Sequence, residues 1–250
     1  MSEHRFYLAP EDWPDAPQGE ALLEGQEAVH LAQSLRLGPG TDVGLLDGRG
    51  RTGLFTVVES GKRRVRLVCR SVDISPQPVS RPIIALAFSK AVRRGFFMEK
   101  AVELGAWEVW LWQGDHSQGR LPADIRESWQ NQMIAGAKQC GNPWLPQIRA
   151  LSGGIGELIA LSAGVDQRIL PWELQDGSSM LTPDMAGRPG TTLYVIGPEG
   201  GFSSRELEAL KAASFRMVSL GQRILRCETA ATLCLGIHWW ASHLTNNRPS

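Results

Sequence analysis

Two short segments concentrate the residue types that could do chemistry. One is Gly197-Pro198-Glu199-Gly200-Gly201, directly after the apolar run Leu193–Ile196. The other runs from Ser219 to Leu233 and carries Arg223, Arg226 and Glu228 around Ile224-Leu225. Glycines let backbone N–H and C=O groups approach a ligand with no Cβ in the way. The first loop matches neither the G-x-x-x-x-G-K-[ST] phosphate loop nor the G-x-G-x-x-G dinucleotide turn, and Glu199 would repel a phosphate. Free backbone groups beside one carboxylate suit a neutral or cationic small molecule instead. The bland alternatives are a tight turn packing helix on sheet, and an Arg226–Glu228 surface pair contributing about 0–1 kcal/mol. That pair leaves the neighbouring glycine loop unexplained.

Both segments follow a strand and precede a helix, where ligands bind in open α/β sheets. Strands are expected at "IIALAFS", "WEVWLWQ", "RILPWE", "TTLYVIG" and "RMVSLG". Between them, "RRGFFMEKAVELG" reads as a helix with Phe97, Ala101 and Leu104 on one face and Gly105 at its end. A second helix is expected near 124–138. Ser203 with Glu206 forms a capping box that starts a third just after the glycine loop. A last helix is expected over 228–244, with Ala230, Leu233, Ile237 and Leu244 sharing a face. Alternating strands and helices predict an α/β fold with a mainly parallel sheet.

The three prolines of "DISPQPVSRP" mark a stiff linker at about 74–82, separating residues 1–73 from residues 83–250. Before it the chain reads mostly as β. "DVGLLDGRGRTGLFTVVES" has turn signals at Asp47-Gly48 and Gly50, and "RRVRLVC" should set Arg64 and Arg66 opposite Val65 and Leu67. "GQEAVHLAQSLRL" reads as a short helix. A small β-barrel carrying one helix is the simplest assembly.

The 26 basic and 26 acidic residues cancel, but Lys62 to Lys100 is strongly basic and could attract phosphates. Cys69, Cys140, Cys227 and Cys234 form no C-x-x-C pair, which argues against zinc and for reduced thiols. The N-terminal residues lack the apolar core of a signal peptide, and no apolar run approaches the roughly 18–20 residues of a membrane span. A cytoplasmic protein with no metal and no membrane partner is expected.

"IGPEGGFSSRELEAL" and "LGQRILRCETAATLCL", in this order and spacing, closely resemble the SPOUT-class RNA methyltransferases. More narrowly, the chain is similar to the bacterial 16S rRNA (uridine-1498-N3) methyltransferase family. "RFYL" at Arg5, "HLAQSLRLGPGT" from His30, "DGRG" from Asp47, "KAVELG" from Lys100 and "RILPWE" from Arg168 extend the resemblance along the chain. It implies an N-terminal PUA-like RNA-binding barrel, a C-terminal domain with a deep trefoil knot, a homodimer, and 16S rRNA or the small ribosomal subunit as partner. It also implies S-adenosylmethionine as cofactor, bound by Leu170-Pro171-Trp172, by Ile196, Gly197, Glu199, Gly200 and Gly201, and by Leu220, Gly221, Ile224, Leu225 and Arg226. Uridine N3 must lose a proton before it attacks a methyl group. Arg226 is then expected to stabilise the developing charge on O2 or O4, and Glu228, or a water it orients, to take the proton. RNA contacts are expected from Arg5, His30, Arg36, Arg63, Arg64, Arg66, Arg93 and Arg94.

The resemblance breaks in two places. "GDHSQGR" stands where the family carries Glu-Arg-Ser, and "KQCGN", Lys138 to Asn142, stands where it carries Glu-Gln-Ser-Gly-Arg. His116 could replace a lost polar contact. These departures leave room for a SPOUT enzyme acting on another RNA or a ribose 2′-OH, or for a non-catalytic RNA-binding or assembly factor. Trp110 and Trp112 read as core residues rather than base-stacking platforms, and Trp239 and Trp240 as interface residues.

Overall fold

The structure is a computed structural model and describes residues 4–14, 18–89, 94–172 and 180–246. The chain divides into two compact units, 1–77 with 134–145, and 78–133 with 146–250. The division after Gln77 falls inside the proline-rich stretch. The return of 134–145 to the first unit has no counterpart in a linear reading of the chain.

The first unit is built on a five-stranded sheet. Its order is β1 (Arg5–Tyr7), β3 (Asp42–Leu46), β4 (Arg51–Ser60), β5 (Arg64–Ile74) and β2 (Glu20–Glu24). β1 runs parallel to β3, and the other neighbours are antiparallel. Register shifts at Leu54/Phe55 and Val57/Glu59 curl the β4–β5 ribbon. The result is a PUA-like half-barrel rather than a closed barrel, because the short edge strands β1 and β2 do not pair with each other. β5 alternates as its sequence dictates, with Val65, Leu67 and Cys69 buried and Arg64, Arg66 and Arg70 exposed.

Helix α1 (Gly25–Val29) passes directly into a π-helical turn, His30–Ser34. Ala28 and Leu31 pack there against Phe6 and Phe55. The β3–β4 turn is held by buried Asp47, whose carboxylate accepts the N–H groups of Arg49 and Arg51 and pairs with Arg51 Nε at 2.6 Å. The returning segment ties on through Leu145 N–H donating to Gly48 O at 3.0 Å and Lys138 pairing with Glu27 at 2.5 Å.

The second unit is a six-stranded, wholly parallel sheet in the order β11-β9-β10-β6-β7-β8. Its strands are β6 (Ser80–Ala87), β7 (Glu108–Trp112), β8 (Gln147–Leu151), β9 (Gln167–Pro171), β10 (Gly190–Ile196) and β11 (Arg216–Val218). Ile83 to Phe88 and Leu193 to Ile196 are buried without alternation, as expected of strands covered on both faces. Its helices are α2 (Arg94–Glu103), α4 (Gly154–Leu161), α5 (Pro183–Ala186), α6 (Ser204–Ala212) and α7 (Cys227–Asn246), while α3 (Glu127–Cys140) begins in this unit and ends in the first. β8, α4 and α5 carry weaker patterns than their neighbours and have no counterpart in the sequence reading.

Trp110 and Trp112 are core residues, packed with Ile155, Leu158, Leu210 and Phe215. Phe97 and Ala101 of α2 are fully buried, as are Met98 and Val102. On α7 the buried face is Ala231, Cys234, Leu235, His238 and Ala241. The stripe containing Leu233, Ile237 and Leu244 faces outward, with Trp240 51% exposed beside it. Among the described residues no helix is long and apolar enough to cross a membrane, and the four cysteines are free thiols.

Candidate active site

The carboxyl ends of β9, β10 and β11 deliver three loops to one cleft of about 790 Å³. This volume is in the range of small-molecule sites. Pro171 and Trp172 form the first wall, residues 196–202 the second, and Leu220, Gly221, Arg223, Ile224, Leu225 and Arg226 the third. Cys227 and Ala230 of α7 close the end.

The glycine loop is shaped by close approach and by backbone twist. A Cβ on Gly197 would lie 2.7 Å from the Phe202 ring, and Gly201 has φ +75°. The loop ends in the capping box read from the sequence: Glu206 N–H donates to Ser203 Oγ at 3.2 Å, and Ser203 N–H to Glu206 Oε2 at 2.8 Å. Glu206 is wholly buried, and its other oxygen accepts Asp115 N–H at 2.7 Å. One carboxylate therefore anchors the start of α6 and the loop after β7 together.

Phe202 stacks on Trp112 at 5.9 Å between centroids and tilts against Trp172 at 5.7 Å. Trp112 is pinned in turn by its indole N–H, which donates to Ile196 O at 3.2 Å. This gives the cleft a stiff aromatic side.

Every residue expected to hold the cofactor lines this cleft except Leu170, which is fully buried in the core cluster of the parallel sheet. Pro198, Phe202, Arg223, Cys227 and Ala230 line it as well. The aromatic closing "GPEGGF" was the available signal for Phe202. Arg226 is exposed on the third wall and makes no ion pair with Glu228 among the described residues, so the bland surface pair is absent.

Glu228 is only 8% exposed, does not line the cleft, and accepts the Cys227 thiol at 3.4 Å. That thiol is pushed up to about 12, first by burial, then by its bond to Glu228, with the charges of Glu228 and Glu199 adding to the rise. Cys227 is thus a neutral thiol at ordinary pH.

The residues expected to meet RNA are distributed differently. Arg5 Nη1 lies 3.4 Å from the carbonyls of Lys138 and Gln139, at the end of α3. Exposed His30 lies 5.7 Å from the Phe6 ring. Arg64 pairs with Glu24 at 2.6 Å, and Arg66 with Glu59 at 2.9 Å and Glu20 at 3.7 Å. Arg36 and Arg63 are exposed and make no ion pair among the described residues. Arg93 lies outside the described residues, and Arg94 is the first residue of α2. No cluster of metal-ligating side chains occurs among the described residues.

Known proteins match this arrangement along most of the chain. A ribosomal RNA small subunit methyltransferase E of Mycobacterium bovis is 29% identical over 229 residues, covering 86% of this chain and 84% of that one. A Legionella pneumophila protein solved with SAM bound superposes with a TM-score of 0.82, at 24% identity over 96% of this chain and 98% of that one. A ribosomal RNA small subunit methyltransferase E of Neisseria gonorrhoeae, solved with S-adenosyl methionine, gives 0.74 at 22% identity over 93% and 94%. Both superpositions support the fold. Residues 23–68 match the RNA methyltransferase PUA domain. Residues 75–239 match the RNA methyltransferase domain, and with two-thirds of its length inside that match the chain belongs to the RNA methyltransferase family.

Proposed function

We propose that this chain uses S-adenosylmethionine to methylate N3 of a uridine in 16S rRNA of the small ribosomal subunit. One observation carries the reading: three loops bring apolar walls, a glycine backbone, Glu199 and Arg226 to a single cleft. The name of the Mycobacterium bovis relative and the cofactor bound in both structural neighbours support it.

The residues present fit the cofactor. Trp172, Leu220, Ile224 and Leu225 offer an apolar enclosure for an adenine, and the glycine loop offers backbone groups. Glu199 is the only carboxylate lining the cleft among the described residues, where Arg223 and Arg226 also stand, and it supplies the negative charge that suits a cationic sulfur. When bound, the cofactor supplies an electrophilic methyl group on a positively charged sulfur.

The chain's own residues then have distinct tasks. Arg226, exposed on the cleft wall, stabilises negative charge that builds on uracil O2 or O4 as N3 loses its proton. Glu228 meets the cleft only through the Cys227 thiol, so we assign it to the local field and the N3 proton to water. The three walls hold the reactants together, which itself lowers the barrier. The first unit recognises RNA, with Arg36 and Arg63 presenting the charge least committed to protein partners. We further propose that the three loops are tied in a deep trefoil knot, that the outward stripe of α7 joins two copies into a homodimer, and that the protein works in the cytoplasm.

Purified protein, labelled cofactor and small subunits or naked 16S rRNA test the substrate, with nucleoside digestion as the readout. Label in N3-methyluridine is expected. Label in 2′-O-methylated nucleosides, or none, contradicts the reading.

A further inference from the structure

The turn after β7, Gly114 to Ser117, lies against the glycine loop that walls the cofactor cleft. Asp115 is held by three groups of the α6 start. Its N–H donates to Glu206, and its carboxylate accepts Ser203 Oγ at 2.5 Å and Arg205 Nη2 at 2.6 Å. The Arg205 and Ser203 bonds hold its carboxyl below the usual carboxylate range. Ser117 Oγ accepts Gly114 N–H at 2.9 Å, and Gly114 abuts the Pro198 ring. The turn is thus fixed at both ends, and His116 sits between.

His116 Nδ1 lies 3.2 Å from Gly200 O and 3.2 Å from Gly201 O. Carbonyl oxygens only accept, so Nδ1 carries the proton and donates to both. The approach is close enough that a Cβ on Gly200 would lie 2.9 Å from His116 Cβ. A side chain at position 200 would therefore collide with the His116 Cβ. Both carbonyls belong to residues that line the cleft, so the bond sets the orientation of two consecutive peptide units in the cofactor-binding wall.

We propose that His116 is a positioning residue for the cofactor cleft, its Nδ1–H latching the Gly200 and Gly201 carbonyls from the rear of the loop. Asp115 sets the latch in place through Arg205 and Ser203, and the wall is preorganised before the cofactor arrives.

The test is calorimetry of S-adenosylmethionine on the full chain, beside hydrogen exchange of the 197–202 amides. H116A weakens the cofactor about three- to tenfold, the scale of one or two neutral hydrogen bonds, and raises its KM more than it lowers kcat. The same change speeds exchange across the loop. H116N restores binding to within about twofold of wild type, because its side-chain amide nitrogen occupies the place of Nδ1. H116Q does not, because its nitrogen falls at the place of Nε2. Unchanged binding and exchange in H116A, or equal rescue by both amides, overturns the latch. If wild-type protein fails to bind the cofactor, the cofactor assignment falls, and the exchange comparison alone then decides the latch.

Discussion

Replacing Glu206 with alanine should destabilise the second unit by about 2–4 kcal/mol. The carboxylate is wholly buried and accepts Ser203 N–H at 2.8 Å and Asp115 N–H at 2.7 Å. Hydrogen bonds to charged groups contribute about 1.5–3 kcal/mol each. Both freed N–H groups lie near the surface, where water recovers part of that, and the lost side-chain volume adds a small cavity term. Glu206→Gln keeps the volume and one acceptor oxygen, so about half the loss is expected. Ser203→Ala removes only the hydroxyl side of the cap, about 1 kcal/mol. Urea unfolding should rank wild type, Ser203→Ala, Glu206→Gln and Glu206→Ala in falling stability, with Ser203→Ala and Glu206→Gln close together. A Glu206→Ala loss below about 0.5 kcal/mol, or a Ser203→Ala loss larger than it, refutes the anchor assigned to this carboxylate.

Glu199→Gln should weaken the cationic cofactor about fivefold, roughly 1 kcal/mol for one exposed charge pair, and leave the neutral demethylated product almost unaffected; calorimetry with both ligands checks the difference. His238 lies between Tyr194 Oη at 3.1 Å and Ser80 Oγ at 2.8 Å, and burial pushes it down to about 4. Above the unfolded value of about 6.5 both states hold it neutral and its contribution is complete. As pH falls toward 4 the unfolded chain binds a proton that the native state refuses, so up to about 3 kcal/mol is lost. The urea midpoint of His238→Gln should therefore fall less than wild type's between pH 7 and 4.5, and parallel pH profiles would contradict this. Leu233→Glu with Leu244→Glu puts two charges on the outward stripe of α7 and should convert a dimer to a monomer in sedimentation velocity, while an unchanged sedimentation coefficient removes that stripe from the interface.

What the sequence makes legible here is local. Ser203 and Glu206 stand three residues apart, so the cap, the helix after it and the glycine loop before it can all be read within one short window. The alternation of Arg64 to Leu67 likewise states which side chains are buried. Long-range partners are not written in that way. Asp115 N–H meets Glu206 across 91 positions, so the carboxylate reads as a cap alone until the fold brings the β7 loop beside it. The outward arginines of β5 look like phosphate contacts, but β2 and β4 place Glu20, Glu24 and Glu59 across from them. A helical period identifies the stripe on α7 without saying which layer covers it. Glu228 reads as a base beside Arg226, yet Arg226 lines the cleft while Glu228, in the first turn of α7, is buried and does not. The motif names the cleft, and packing decides which of its polar groups face the ligand.

The most direct measurement is mass spectrometry of 16S rRNA nucleosides from a strain lacking the gene, complemented with wild-type chain or with Arg226→Ala. The account predicts that N3-methyluridine disappears on deletion, returns with wild type, and stays absent with Arg226→Ala although that variant still binds the cofactor. An N3-methyluridine level unchanged by deletion, or restored in full by Arg226→Ala, contradicts it.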